Sequence, residues 1–191
     1  YIHEPEQLSF HVIKDLTKYV NAIQGGFYVL DDNDPYNRYF NLSAFFAYDR
    51  KKFADQKIKW GDGLIGTCAL EKKTIHLKNV PEEYITVTSG LGDANPNNLI
   101  VVPMIYEEQI YGVIELASFH KFDPSQISLI EKTAESVGAT LSAIKTNLRT
   151  AALLEESKAQ TQALTSHEEE MRQNMEELQA TQEESNRQTQ R

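Results

Sequence analysis

Apolar and polar positions along this chain repeat with more than one period, and each period predicts a different element. Leu8, Val12, Leu16, Tyr19, Val20 and Ile23 fall on one helix face. Pro5 suits a first helical turn, so residues 5–23 are expected to form an amphipathic helix that Gly25-Gly26 ends. Phe27 to Leu30 reads as a short strand, Asp31-Asp32-Asn33-Asp34-Pro35 carries turn chemistry, and Tyr39 to Tyr48 returns as an aromatic-rich strand. Thr74 to Leu77 is a further short strand, closed by Asn79-Val80-Pro81. The clearest hairpin runs from Leu99 to Tyr106, turns at Glu107-Glu108-Gln109 and returns from Ile110 to Ala117. Both arms are nearly all apolar, which predicts a sheet centre covered on both faces.

Asp123-Pro124-Ser125 reads as a helix cap. Beyond it Ile127, Ile130, Ala134, Val137, Leu141, Ile144, Leu148 and Ala151 alternate by three and four residues, the spacing of a coiled-coil seam. Near Leu153 and Leu154 the phase slips by one residue. It resumes with Leu154, Leu164, Met171, Met175 and Leu178, interrupted by Thr161, Glu168, Gln182 and Ser185. All 9 Gly and all 6 Pro fall at or before Gly138, and no Phe, Tyr or Trp follows Phe122. The tail therefore lacks the turn-formers and rings of a second globular domain. One helix from Ser125 to the end would be about 100 Å long at 1.5 Å per residue, and its weaker half needs a partner helix. Helix, antiparallel strands with a helical insertion, then a long helix is an α+β architecture.

Composition narrows the function classes. A chain of 191 residues with 40% hydrophobic side chains supplies one sizeable core. A formal net charge of −9 argues against a general nucleic-acid binder and against docking on an anionic membrane. Residues 155–191 hold 9 acidic and 4 basic side chains, so much of that acidity is a solvated helix face. Glu169-Glu170, Glu176-Glu177 and Glu183-Glu184 recur every seven residues off the seam; carboxyl methylation is the alternative to simple solvation. A single cysteine excludes an intrachain disulfide and multi-thiolate metal centres, and it suits a reducing, cytoplasmic compartment. His3, His11, His76, His120 and His167 are isolated from one another, so no metal site is expected. No apolar run is long enough to span a membrane, and the first residue is Tyr1 and not Met, as in a fragment of a longer protein.

Gly61-Asp62-Gly63-Leu64-Ile65-Gly66 is a literal G-x-G-x-x-G. A dinucleotide fingerprint needs a buried strand before it and a parallel crossover after it. Asp55 to Trp60 is charged and poor in β-formers, so glycines leading into a short helix are the expectation. Cys68 is open to two readings: a reactive thiol, or a small core residue beside Leu64, Ile65 and Ala69. Glu115 interrupts an otherwise buried strand, and a buried carboxylate must be paired or hydrogen-bonded. Its partner is either a polar ligand or donor in a cavity, or a Lys or Arg of the flanking helices. Tyr84 to Pro96 is rich in hydroxyls, glycines and amides, as in a loop that wraps a small molecule or a long surface connection.

Gly61-Asp62-Gly63-Leu64-Ile65-Gly66-Thr67, Asn79-Val80-Pro81, Val102-Pro103-Met104 and Gly112-Val113-Ile114-Glu115-Leu116, in that order and followed by an exit helix, resemble a GAF domain over residues 5–150. Residues 151–191 resemble the coiled-coil linker helices of bacterial sensor histidine kinase-like proteins. The resemblance implies an antiparallel five- or six-stranded sheet flanked by helices, with a ligand pocket under the connecting segments. Contacts would come from among Tyr28, Phe45, Trp60, Thr86, Thr88, Ser89, Asp93 and Glu115. Family members bind cyclic nucleotides, bilins, haem or other small molecules, and the cofactor here is left unnamed. Ala69 follows Cys68 where bilin-attaching members carry a His, and the cysteines of methionine-sulfoxide-reducing members are missing. The expectation is a non-enzymatic sensor without catalytic residues. Its partners would be a small-molecule ligand, a second copy joined through the N- and C-terminal helices, and a downstream signalling domain. A ligand-free dimerisation spacer is the alternative, and a thiol reductase built on Cys68 is a third reading.

Overall fold

The first helix, α1, runs His3–Tyr19 and buries Ile13 and Leu16, with Val20 just beyond its end. In the computed structural model, which describes residues 3–47, 50–51, 57–80, 87–89, 92–94 and 96–189, it stops short of the expected residue 23. Asn21, at φ 54°, makes the left-handed turn that ends it. The glycine pair is not its terminator: Gly25 and Gly26 lie inside strand β1, Gln24–Asp31. A Cβ on Gly25 would stand 2.5 Å from Thr17 Oγ1 and 2.8 Å from the Ile13 side chain, so the strand is bare where α1 crosses it.

The chain continues through β2 (Tyr39–Ala47), β3 (Arg50–Lys51), β4 (Lys57–Lys59), α2 (Gly63–Glu71), β5 (Ile75–Leu77), β6 (Val87–Ser89) and β7 (Gly92–Ala94). It ends with β8 (Asn98–Tyr106), β9 (Gln109–Ser118) and α3 (Pro124–Thr189). The main sheet is antiparallel, in the order β3-β2-β1-β9-β8-β5, and β4 shares the outer edge of β2 with β3. β6 and β7 form a separate ribbon. The expected apolar hairpin is β8–β9. Its Glu107 and Glu108 have φ 46° and 62°, the mirror-image two-residue turn that matches strand twist. Tyr48 and Pro81, expected at strand boundaries, lie outside the described residues.

Alternation along the strands divides the core in two. One face carries Phe27, Ala44, Phe46, Ile100, Val102, Met104, Ile114 and Leu116, and α1 and α3 cover it. The other carries Tyr28, Phe40, Leu99, Val101, Val113 and Ala117, packed with Ile65, Cys68 and Ala69 of α2.

The first half of the three-four spacing serves this core. Ile130, Ala134, Val137 and Leu141 are at most 7% exposed and pack with the first face, which corrects their reading as a coiled-coil seam. A helix lying on a sheet and a helix in a coiled coil both need a narrow apolar stripe, so spacing alone does not separate them. Gly138 marks the closest approach, where a Cβ would stand 2.9 Å from the Ile105 carbonyl oxygen. The cap is as expected. Asp123 Oδ1 accepts from the Gln126 N–H at 2.8 Å and Gln126 Oε1 from the Asp123 N–H at 3.0 Å, a reciprocal capping box.

The chain divides into two units, residues 1–143 and 144–191. The described part of the second is helical throughout, and Leu148, Leu153, Leu154, Leu164, Met171, Met175 and Leu178 are each more than half exposed. The ion pairs among its described residues are local, from Lys158 to Glu155 at 3.0 Å and from Arg172 to Glu169 at 2.6 Å and to Glu176. No helix among the described residues is long and apolar enough to cross a membrane.

Ile130→Ala is expected to cost about 2–5 kcal/mol in urea unfolding, the range for a buried large-to-small change. Leu164→Ala should leave the midpoint of the globular unit unchanged. Equal effects would return Ile130 to a helix–helix seam.

Candidate functional site

Glu115 lies between Ile114 and Leu116, which face α1 and α3, and its strand neighbours Val113 and Ala117 face the other way. Alternation therefore opens Glu115 on the second face. Phe45, between Ala44 and Phe46, is placed there by the same rule. A bulge makes this possible. Phe27 pairs with Ala44 but Tyr28 pairs with Leu42, so Ser43 is the extra residue. Without it, alternation from Leu42 would turn Phe45 toward α1. Ser43 itself reaches the α1 side, where its Oγ donates to Ser9 Oγ at 3.0 Å.

The registers then align one row across the sheet. Phe45 opposes Gly26, Gly26 opposes Glu115, Glu115 opposes Val101 and Val101 opposes Ile75. With neighbouring strands about 4.8 Å apart, the backbones of Phe45 and Glu115 are about 10 Å apart with a bare glycine between them. Tyr28 occupies part of that gap. A Cβ on Gly26 would stand 2.8 Å from Tyr28 Cε2 and 3.3 Å from its Oη, so the ring lies back over the glycine. Tyr28 is buried, while Phe45 and Glu115 are half-buried.

Trp60 is not in this row. It stacks on Phe40 at 5.8 Å and 15°, and the Arg38 guanidinium lies 4.0 Å from its ring centroid. Phe40 opposes Leu30, four residues from Gly26 and so about 13 Å along the sheet. Thr88, Ser89 and Asp93 lie on the β6–β7 ribbon, with Thr88 opposite Asp93 and Ser89 opposite Gly92. Thr86 lies outside the described residues. The structure thus brings together Tyr28, Phe45 and Glu115, and it adds two positions that the sequence does not mark as part of the site, Gly26, expected there to end a helix, and Ser43.

The three glycines of the G-x-G-x-x-G motif close a turn on itself. Gly61 and Gly63 have φ 86° and 60°, and a Cβ on Gly66 would stand 2.7 Å from the Gly61 backbone. β4 before the motif pairs with β2 and β5 after α2 pairs with β8, both antiparallel, so among the described residues no parallel strand pair flanks the motif as a dinucleotide site requires. Cys68 is fully buried, and its Sγ donates to the Lys73 carbonyl at 3.3 Å and the Val101 carbonyl at 3.6 Å. Burial, with the Glu71 charge second, pushes its thiol up to about 12. At neutral pH it is a packed thiol and not a thiolate nucleophile. Among the described residues no cluster of three His, Cys, Asp or Glu could hold a metal ion.

The profile of the GAF domain family matches residues 3–142 of the chain. No curated protein matches the sequence. Among solved structures, the GAF domain of an Acinetobacter phosphoenolpyruvate-protein phosphotransferase is similar with TM-score 0.60 at 14% identity, covering 74% of this chain and 84% of that one. The GAF-B domain of DevS from Mycobacterium smegmatis gives TM-score 0.58 at 14% identity, covering 77% and 99%. Type II free methionine-R-sulfoxide reductase from Thermoplasma acidophilum gives TM-score 0.54 at 23% identity, covering 71% and 89%. At these identities the likeness is one of fold.

The Cys68 thiol has a pH consequence with a definite sign. Its folded pKa of about 12 stands above the ordinary value of 9.0, so between the two the unfolded chain loses a proton that the folded chain keeps. Stability from this group is full below the lower value and falls as pH rises. Wild type should therefore lose more stability than Cys68→Ala between about pH 8 and about pH 10, read from urea unfolding. Parallel losses would show that the thiol is not buried in solution.

Proposed function

We propose, since this chain belongs to the GAF domain family, that it is a non-enzymatic sensory module which binds a small molecule on the second sheet face and passes that event along α3 to a downstream signalling domain. GAF domains are ligand-binding signalling modules. The observation that supports binding here is the row of Phe45, Gly26 and Glu115 floored by Tyr28, on the face opposite α1 and α3. A half-buried carboxylate beside an aromatic ring is not what simple sheet packing requires. Thr86, Thr88, Ser89 and Asp93 are proposed as further contacts from the 81–95 connection.

Transmission follows from the double use of α3. Its first turns are core residues of the globular unit, and its continuation carries a row of exposed apolar side chains from Leu148 to Leu178. We assign that second row to a parallel homodimeric coiled coil, because an apolar stripe with heptad spacing is matched by a copy of itself. Val12, Leu16 and Val20 of the first apolar stripe pack in the domain's own core, so we assign the second copy to the stretch after Ala143. A bacterial, cytoplasmic, sensor kinase-like setting is the context this arrangement suits. The buried Cys68 speaks against the thiol-reductase alternative. The spacer alternative draws its support from the burial of Tyr28 and Phe40.

Native mass spectrometry of the protein as purified, with calorimetry against a metabolite library, tests the reading. A bound small molecule, with affinity lost in Glu115→Gln, is the expected result. No binder, together with unchanged melting of Glu115→Gln, would leave the spacer. Sedimentation at roughly tens of micromolar should give a dimer, and a monomer would remove the coiled coil.

A further inference from the structure

The bulge in β2 gives the second sheet face two registers, and the residues beyond it are symmetric enough to fill both. We propose that β2 is a register switch which moves an aromatic ring on or off the position opposite Gly26, and that Ser9 of α1 holds it in the bulged register. The use of this switch in sensing rests on the ligand-binding reading above.

Residues 44–47 read Ala-Phe-Phe-Ala, the same in either direction. With Ser43 as the extra residue, Ala44, Phe45, Phe46 and Ala47 stand opposite Phe27, Gly26, Gly25 and Gln24. Once the bulge is released, pairing continues from Leu42 and Tyr28 without a break and each later residue moves by one. Ser43 then comes opposite Phe27, Ala44 opposite Gly26, Phe45 opposite Gly25 and Phe46 opposite Gln24. On the α1 face this exchange is nearly silent. A small residue still lies opposite Phe27, and a phenyl ring still lies opposite Gly25, where Phe46 packs edge-on against Phe10 at 6.4 Å in the bulged register. The other face changes, because Ala44 replaces Phe45 opposite Gly26 and the ring moves to Gln24, about 7 Å along the strand.

The attachments of β2 allow the block to move. Among the described residues its outer edge is held at Tyr39 to Asn41 by β4 and at Phe46 and Ala47 by β3, and the bulge lies between the two. The Ser43 hydroxyl donates to Ser9 Oγ at 3.0 Å, and Ser9 is fully buried. α1 therefore touches the residue that is extra in one register and paired in the other. A ligand that packs on the Phe45 ring favours the first, and one that needs the bare glycine favours the second.

A mutant cycle in urea unfolding of the full chain tests the switch with no ligand present. A buried Phe→Ala change ordinarily lowers the folding constant by more than about a hundredfold. Phe46→Ala should lower it by less than about tenfold, because Phe45 slips into the same core place, and Phe45→Ala alone should be as mild. The double variant should lose at least about a hundredfold, well beyond the product of the single losses. Cross-strand Overhauser contacts in Phe46→Ala should place Ala44, and not Phe45, opposite Gly26. Ser9→Ala should broaden the Gly25 and Gly26 amides by exchange. Deletion of Ser43 removes the extra residue with Phe45 still opposite Gly26, and it should leave them sharp. A Phe46→Ala loss as large as that of the double variant, with Phe45 still opposite Gly26 and sharp amides in Ser9→Ala, overturns the switch whether or not a small molecule binds. A working switch in a chain that binds nothing in the metabolite library overturns the ligand-binding reading alone.

Discussion

The burial of the first turns of α3 against the sheet is the contact on which the rest of the structure depends. β8 and β9 are apolar on both faces, so neither face can be left to water. α2 closes one through Ile65, Cys68 and Ala69. α1 reaches the other through Ile13 and Leu16, and Ile130, Ala134, Val137 and Leu141 share that core with Ile100, Val102 and Ile114. Each of these four is worth roughly 1.5–3 kcal/mol of transfer free energy if large, less for the alanine, against a typical total stability of about 5–15 kcal/mol. The first turns of α3 are therefore a structural wall of the globular unit.

What the site consists of is set as much by missing side chains as by present ones. Adjacent glycines in a strand point to opposite faces, and here each face uses its vacancy. Gly25 lets α1 approach the sheet through Thr17 and Ile13, and Gly26 lets the Tyr28 ring fold back between Phe45 and Glu115. The extra residue at Ser43 does the rest, because it reverses the alternation of β2 partway along. Ala44 and Phe46 then face α1 while Phe40 and Leu42, before the bulge, pack on the opposite face. A one-residue shift would exchange the aromatic wall of the site for a core position.

The elements with strong local signals were legible in the sequence. The β8–β9 hairpin, the glycine turn into α2 and the capped start of α3 follow from apolar runs, turn chemistry and the Asp123 and Gln126 pair, all short-range features. The GAF resemblance extended that reading to the sheet and to the terminal helices. Gly25-Gly26 was misread because glycine after an apolar stripe usually ends a helix, whereas here tertiary packing demands a bare strand. The three-four spacing from Ile127 to Leu141 was misread because a sheet-packed helix and a coiled coil share it. The row of Gly26, Phe45 and Glu115 was beyond local reasoning altogether. Its members are brought together by registers across 19 and 89 residues of chain, fixed by a bulge that no single residue type announces.

The pleat of the sheet connects the proposed ligand face to the helix face without any added device. Glu115 is flanked on its own strand by Ile114 and Leu116, which pack in the core with α3, and Gly26 is flanked by Gly25 under α1 and by Phe27 in that same core. A displacement of the row is therefore a displacement of the surface on which α1 and α3 rest, since close-packed interiors transmit strain instead of absorbing it. A signal carried in this way would be bounded by the difference in ligand affinity between two packings, for typical couplings about 1–3 kcal/mol. A helix pair with a uniformly apolar seam would resist a bias of that size. In the proposed coiled coil, Thr161, Glu168 and Gln182 at core positions would weaken the seam, and the one-residue slip near Leu154 would offer a second phase. In the proposed dimer the polar interruptions would bring two packings of the helix within reach of what a single small ligand can supply.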